Sequence, residues 1–163
     1  MLDVFTVAFF GHRYIDYYRP VEEQVSKIIR TLIKEHEYVD FLVGRDGEFD
    51  QIVASEVRKI KHEVYNGNSS LIWVMPYVNA EYIQNKESFE SYYDEVEICS
   101  ESYSAYPKAA IQKRNRSMVD RSDLVFFYVT HPSGGAYQTM RYARRIGKKI
   151  INIADIIDGI IQL

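Results

Sequence analysis

One cysteine, Cys99, is all the 163-residue chain contains, so no intrachain disulfide can form and the composition suits a reducing cytoplasm. No apolar run approaches the ~18 residues that span a bilayer, so no membrane segment is expected. The amino-terminal "MLDVFTVAFFGHR" carries an acid at Asp3 and no basic leader, and no small-residue cleavage pattern follows, so no signal peptide is expected. Four prolines and eight glycines are too few for a linker or low-complexity tract, and none interrupts the chain. Excess positive charge is lacking too. The formal charge is −3, which gives no global reason to bind DNA or an acidic membrane and disfavours nucleic acid as a partner. No His/Cys/Asp spacing resembles a metal site, no G-x-S-x-G elbow or G-K-[ST] loop is present, and Cys99 has no evident base beside it. Neither a metal nor an organic cofactor is expected.

What is present is a good supply of apolar and aromatic residues. Hydrophobic residues make up 47% and charged residues 26%, so the chain can bury a core and reads as one domain over 1–163. Near-continuous apolar runs at 4–10, 39–43, 70–75, 123–129 and 149–153 predict five strands covered on both faces, as in a parallel sheet. Val21, Val25, Ile28 and Leu32 mark one face of a helix over about 20–36. Phe49, Val53, Val57, Ile60 and Val64 do the same over 49–65. A helix from Pro107 leads into the fourth strand, and another around Ala136, Met140 and Ala143 ends near Gly147. The order predicts a doubly wound, mainly parallel five-stranded α/β domain with helices on both faces. Residues 77–106 break the pattern as an aromatic-rich insertion, with Tyr77, Tyr82, Tyr92, Tyr93, Tyr103 and Tyr106 and a short helix expected around "ESFESYYDEVEI".

Ligands of open α/β sheets bind beyond the carboxyl ends of strands, where the strand order reverses. The special residues of this chain gather at those ends: Gly11, His12 and Arg13 after the first strand, Gly44, Arg45, Gly47 and Asp50 after the second, and "THPSGGAYQT" after the fourth. Gly134 and Gly135 let a ligand approach the backbone at a helix start, whose free N–H groups and dipole favour an anion. Tyr137, Gln138 and Thr139 lie in the first turns of that helix, and its field is basic, with no acid between residues 124 and 154. A plain βα turn explains the same glycines.

Glu48 and Asp50 cap the second helix, and there they would repel a phosphate, so Asp50 suits a ribose hydroxyl, an amine or a base. Ile111, Arg114, Asn115 and Met118 follow one helical stripe facing the sheet. Two of the four are polar and need partners, either acids such as Asp120 or Asp50, or a ligand at the rim; ligand contact by Arg114 and Asn115 is the preferred reading, because the glycine turns lie on the same rim. Asp94 and Glu95 could supply a carboxylate to a sugar, and an exposed acidic face explains them equally well. His12 suits a structural hydrogen bond more than catalysis.

"FFGHR", "VGRDGEFD", "KRNRSMVDRSD" and "SGGAYQTMRYARRIGKKIINI", in this order, resemble the SLOG superfamily, related to the LOG-type cytokinin-activating proteins and to the DNA-processing protein DprA. The likeness is greatest to its small YpsA-like bacterial members and covers nearly all of the chain except the insertion. It implies a Rossmann-like domain that binds a nucleotide or nucleotide-derived ligand, often as a homo-oligomer. In LOG proteins a P-G-G-x-G-T-x-x-E motif binds phosphate and supplies the glutamate that helps cleave an N-glycosidic bond. Ser133, Gly134 and Gly135 match its opening, but Tyr137 stands where a glycine belongs and Arg141 where the glutamate belongs. A frame based on Thr139 puts Tyr142 there instead. Of the upstream Arg-Lys pair, Arg114-Asn115 keeps only the arginine.

The reading preferred from sequence is a nucleotide-binding module or sensor. The alternative is an N-glycosidic hydrolase or transferase using Asp50, Asp94 or Glu95. Single-stranded DNA binding ranks below both because of the acidity, although "KRNR" and "RYARRIGKK" are basic clusters.

Overall fold

The first strand, β1 (Val4–Gly11), sends Val7 and Phe9 to one side of the sheet and Ala8 and Phe10 to the other, all buried. That two-sided burial dictates the architecture of the computed structural model, which describes residues 1–64, 67–102 and 105–162. Helices α1 (Tyr18–Glu35) and α2 (Glu48–Val64) cover the Phe9 side. Helices α5 (Pro107–Arg121) and α6 (Gly135–Arg145) cover the Phe10 side. Between them run β2 (Tyr38–Val43), β3 (Ser69–Met75), α3 (Ala80–Gln84), α4 (Lys86–Tyr92), β4 (Glu95–Ile98), β5 (Leu124–Tyr128), β6 (Ile150–Asn152) and a terminal α7 (Ile153–Ile157). Among the described residues no helix is long and apolar enough to cross a membrane.

All strand pairings are parallel, in the order β4-β3-β2-β1-β5-β6. The chain winds outward from β1 to β4, then returns to the other flank of β1 with β5. The order therefore reverses between β1 and β5, so the chain leaves their paired carboxyl ends toward opposite faces of the sheet, α1 on one and α6 on the other, with a crevice between the two connections. The β1–β5 seam is aromatic, with Phe9 stacked on Phe126 at 5.3 Å on one face and Phe10 on Phe127 at 5.6 Å on the other.

The expected α/β class holds, with six strands instead of five. The extra strand, β4, lies inside the insertion and pairs with the outer edge of β3. The helix expected around "ESFESYYDEVEI" is confined to α4. After it, Asp94 turns the chain, its backbone N–H donating to Leu71 O at 2.9 Å, and "EVEI" continues as strand. The insertion is anchored by Trp73 of β3, whose indole meets Tyr82, Phe89 and Tyr93 at 5.9, 5.0 and 5.2 Å. Tyr92 lies under the Arg58 guanidinium at 4.1 Å. These tyrosines pack the connection down, whereas Tyr106 is exposed and Tyr103 lies outside the described residues.

Candidate functional site at the strand-order switch

A cleft of about 410 Å³ opens at the β1–β5 crevice, in the ~300–1,000 Å³ range of small-molecule sites. One wall is the start of α6. Gly134 holds φ +93°, a conformation glycine adopts without strain, and aims the chain into the helix. Gln138 N–H is the first amide bonded back along α6, to Gly134 O at 3.1 Å, so among the described residues the amides of Gly135, Ala136 and Tyr137 are the unsatisfied donors of the helix start. A Cβ added at either Gly134 or Gly135 would meet nothing within 4 Å, although the φ of Gly134 would strain any other residue there. The backbone here is open to an incoming group.

The floor is the end of β1. His12 donates its backbone N–H to Tyr128 O at 3.2 Å, and its Nε2 accepts from Thr130 N–H at 2.8 Å, which places the neutral ring's proton on Nδ1. Its imidazole stacks on that of His131 at 3.9 Å, while His131 Nδ1 and the Ser133 hydroxyl lie 2.7 Å apart. Burial, with the His131 charge second, holds His12 below its ordinary pKa. Arg13 and Tyr14 project from the following loop, which is pinned to α2: Glu48 N–H donates to Arg13 O at 2.8 Å and Ile15 N–H to Glu48 Oε2 at 2.6 Å. Gly47 permits this, because a Cβ there would lie 2.4 Å from Arg13 Cα.

The opposite wall is acidic. Asp50 accepts from Asp46 N–H at 2.9 Å, a helix-start cap, and both residues line the cleft. Asp50 is 8% exposed; burial first, and the Asp46 charge second, push its carboxyl up to about 7, against the opposing pull of Asp46 N–H and Arg114. The cleft is thus bipolar. Amide donors at the start of α6 can take an anion, and Asp50 on the opposite wall can take hydroxyl or amino hydrogens.

Among the residues expected at the site, Gly11, His12, Arg13, Asp50, Asn115, Gly134 and Gly135 line the cleft. Arg114 does not. It is 1% exposed, and its guanidinium donates to the Asp46 carboxylate, to Val74 O at 2.9 Å and to Asn115 Oδ1 at 2.8 Å. The partner is Asp46, neither Asp120 nor Asp50, and Arg114 orients the wall from behind. Gly44 packs against that guanidinium, and Arg45 turns outward to Glu81 and the Phe89 ring. Thr139 donates to Gly135 O at 2.9 Å and accepts from Asn115 Nδ2 at 3.2 Å, so it positions the Asn115 amide. Tyr137 lies against Arg141, and Gln138 faces a separate depression on the helix. Asp94 and Glu95 stand at the amino ends of β3 and β4. There Asp94 accepts from Leu71 N–H at 2.7 Å and Lys61 Nζ at 2.5 Å, so neither acid can serve this cleft.

Phe10, Tyr14, Asp46, Ile111, His131 and Ala136 line the cleft without having been assigned to it from sequence. His131 follows β5 as His12 follows β1, so the strand-end rule itself pointed to both.

No family model matches the sequence, and no curated protein matches it. Two solved structures are similar in fold. DNA processing protein A from Helicobacter pylori, described by its single-stranded DNA binding mode, aligns with a TM-score of 0.63 at 18% identity, over 91% of this chain and 64% of that one. DNA processing protein A (DprA) from Streptococcus pneumoniae aligns with a TM-score of 0.68 at 18% identity, over 96% of this chain and 55% of that one. The chain spans less than two thirds of either protein. The likeness establishes the Rossmann-like fold. It also overturns the expectation that nucleic acid is a disfavoured partner, because a protein of this fold is described by how it binds single-stranded DNA.

Proposed function

We propose that the switch-point cleft binds the phosphorylated sugar of a nucleotide, and that it admits this unit within a single strand of DNA as well as free. The observation that carries the reading is the open start of α6, where unsatisfied amides face a cleft that no glycine side chain fills. The phosphate sits at Gly134–Gly135, and the sugar and base extend toward Asn115 and Asp50. The fold likeness supports the DNA form of the ligand and the placement of the chain in the SLOG superfamily; the order of the four motifs quoted above supports its YpsA-like branch.

Titration with nucleoside monophosphates and short oligothymidylates, read by thermal shift, tests this. A ligand at ~100 times its Kd raises stability by about 2.7 kcal/mol. No shift with any of them contradicts the reading.

A second reading has one specific observation behind it. Asp50, held near neutrality in the same cleft, can retain a proton and pass it to a leaving base, as N-glycosidic cleavage requires. Base release from a nucleoside monophosphate that vanishes in Asp50→Asn supports it; an undiminished rate in that variant removes it.

A further inference from the structure

The groove between α5 and α6 carries positive charge that the cleft does not use. Gln138, Arg141, Tyr142 and Arg145 follow i, i+3, i+4, i+7 spacing on α6, and with Arg116 of α5 they line a depression of about 160 Å³. The guanidinium groups of Arg116 and Arg145 both lie over the Tyr142 ring, at 5.0 and 5.5 Å, and Arg141 lies 5.9 Å from the Tyr137 ring. Among the described residues none of these three arginines is in an ion pair, and neither is Arg144 on the same helix. The nearby acid is Asp120, whose carboxylate accepts from the Tyr142 hydroxyl at 2.5 Å and whose backbone carbonyl accepts from Lys148 Nζ. A chain with a net charge of −3 thus concentrates uncompensated guanidinium groups on one helix pair, each laid against an aromatic face.

We propose that this groove is a phosphate track that carries a single nucleic-acid strand away from the cleft. The inference rests on the cleft reading for the point where the strand begins. A basic groove with interleaved aromatic and guanidinium planes suits a single strand, because splayed bases stack on those planes while phosphates meet the charges. The two sites are joined by α6 itself. At 1.5 Å per residue, Arg141 lies ~9 Å and Arg145 ~15 Å along the axis from Gly135, within the span of a strand of a few nucleotides.

The test compares a dinucleotide with an oligothymidylate of about 15 nucleotides by fluorescence anisotropy across a salt series. It uses the wild type, the triple variant Arg116→Gln/Arg141→Gln/Arg145→Gln, and Gly135→Asp, with melting curves confirming that each is folded. The three arginines are exposed, so the triple variant folds. Losing three phosphate contacts should flatten the slope of log K against log salt by about 2 and weaken the long strand at least tenfold at low salt, with the dinucleotide unaffected. Equal long-strand affinity and slope in wild type and triple variant overturn the track alone. So does a wild type that binds the long strand no better than the dinucleotide, or one whose arginine-dependent ligand is polyglutamate instead of DNA. A wild type that binds neither DNA ligand overturns both this inference and the cleft reading. Dinucleotide binding that survives Gly135→Asp, while the arginines still govern the long strand, overturns the cleft reading and leaves the track standing.

Discussion

Arg114, buried in the middle of α5, donates its guanidinium to the carboxylate of Asp46 in the β2–α2 loop, 68 positions earlier in the chain. That contact fixes the acidic wall of the cleft, because the backbone N–H of Asp46 in turn holds Asp50. The geometry that makes Arg114 a poor ligand contact makes it the support for two residues that do line the site.

Replacing Asp46 by asparagine leaves the buried guanidinium without its anion. Asp46 is itself 42% exposed and asparagine keeps an acceptor, so the loss is about 1–2 kcal/mol, measurable as a drop in denaturant midpoint. The same change removes the repulsion that raises Asp50, so the Asp50 carboxyl should titrate at lower pH in the variant. Carbonyl-resolved NMR reads both effects on one sample. An unchanged Asp50 titration contradicts the coupling.

Asp50 also makes stability depend on pH. Its folded-state pKa, about 7, exceeds its ordinary value of 3.8, so the folded state holds the extra proton. The resulting stabilisation is complete below about pH 3.8 and is lost as pH rises through about 7. Asp50→Asn should flatten this part of the profile and be more stable than wild type at pH 8, by on the order of a few kcal/mol. Parallel profiles for the two proteins contradict this.

His12 acts in the opposite sense. Its folded-state pKa is depressed below 6.5, and its Nε2 must stay unprotonated to accept from Thr130 N–H. Stability from this group is present above about pH 6.5 and lost as pH falls through the lower folded value. His12→Gln keeps an acceptor without a titrating ring and leaves the opposing Asp50 effect in place, so by chemical denaturation the stability at pH 7.5 relative to that at pH 5 should be lower in that variant than in the wild type. An equal difference removes His12 as the cause.

Gly11 serves packing. A Cβ at this position would lie 2.3 Å from the ring of Phe49, which is fully buried, so neither group has room to move. Gly11→Ala should cost about 1–3 kcal/mol in a urea melt. A neutral result shows that α2 can shift away from β1.

The strands and the two-faced core were legible because each apolar run is long enough to be covered on both sides, and the helices because their stripes repeat at helical spacing. β4 was not legible. Its "EVEI" is short, half-polar and continuous with a helix-forming run, and only the exposed edge of β3 turns it into a strand. The rule about strand ends located the cleft, but it could not say which polar residues face it. Arg114 and Asn115 are neighbours in sequence, yet one lies behind the wall and the other in it. The judgement against nucleic acid failed for a related reason. Net charge averages over the whole surface, while Arg116, Arg141 and Arg145 converge only once α5 packs on α6.

The central claim is that an anion occupies the start of α6, and Gly135→Asp tests it most directly. A Cβ at this position meets nothing within 4 Å, and Gly135 is not among the residues of positive φ. The new carboxylate lies at the first turn of a helix, where it favours the dipole and fills the phosphate position with like charge. The account predicts a melting temperature equal to or above that of the wild type, together with loss of nucleotide and dinucleotide binding. Undiminished binding by the folded variant would contradict it.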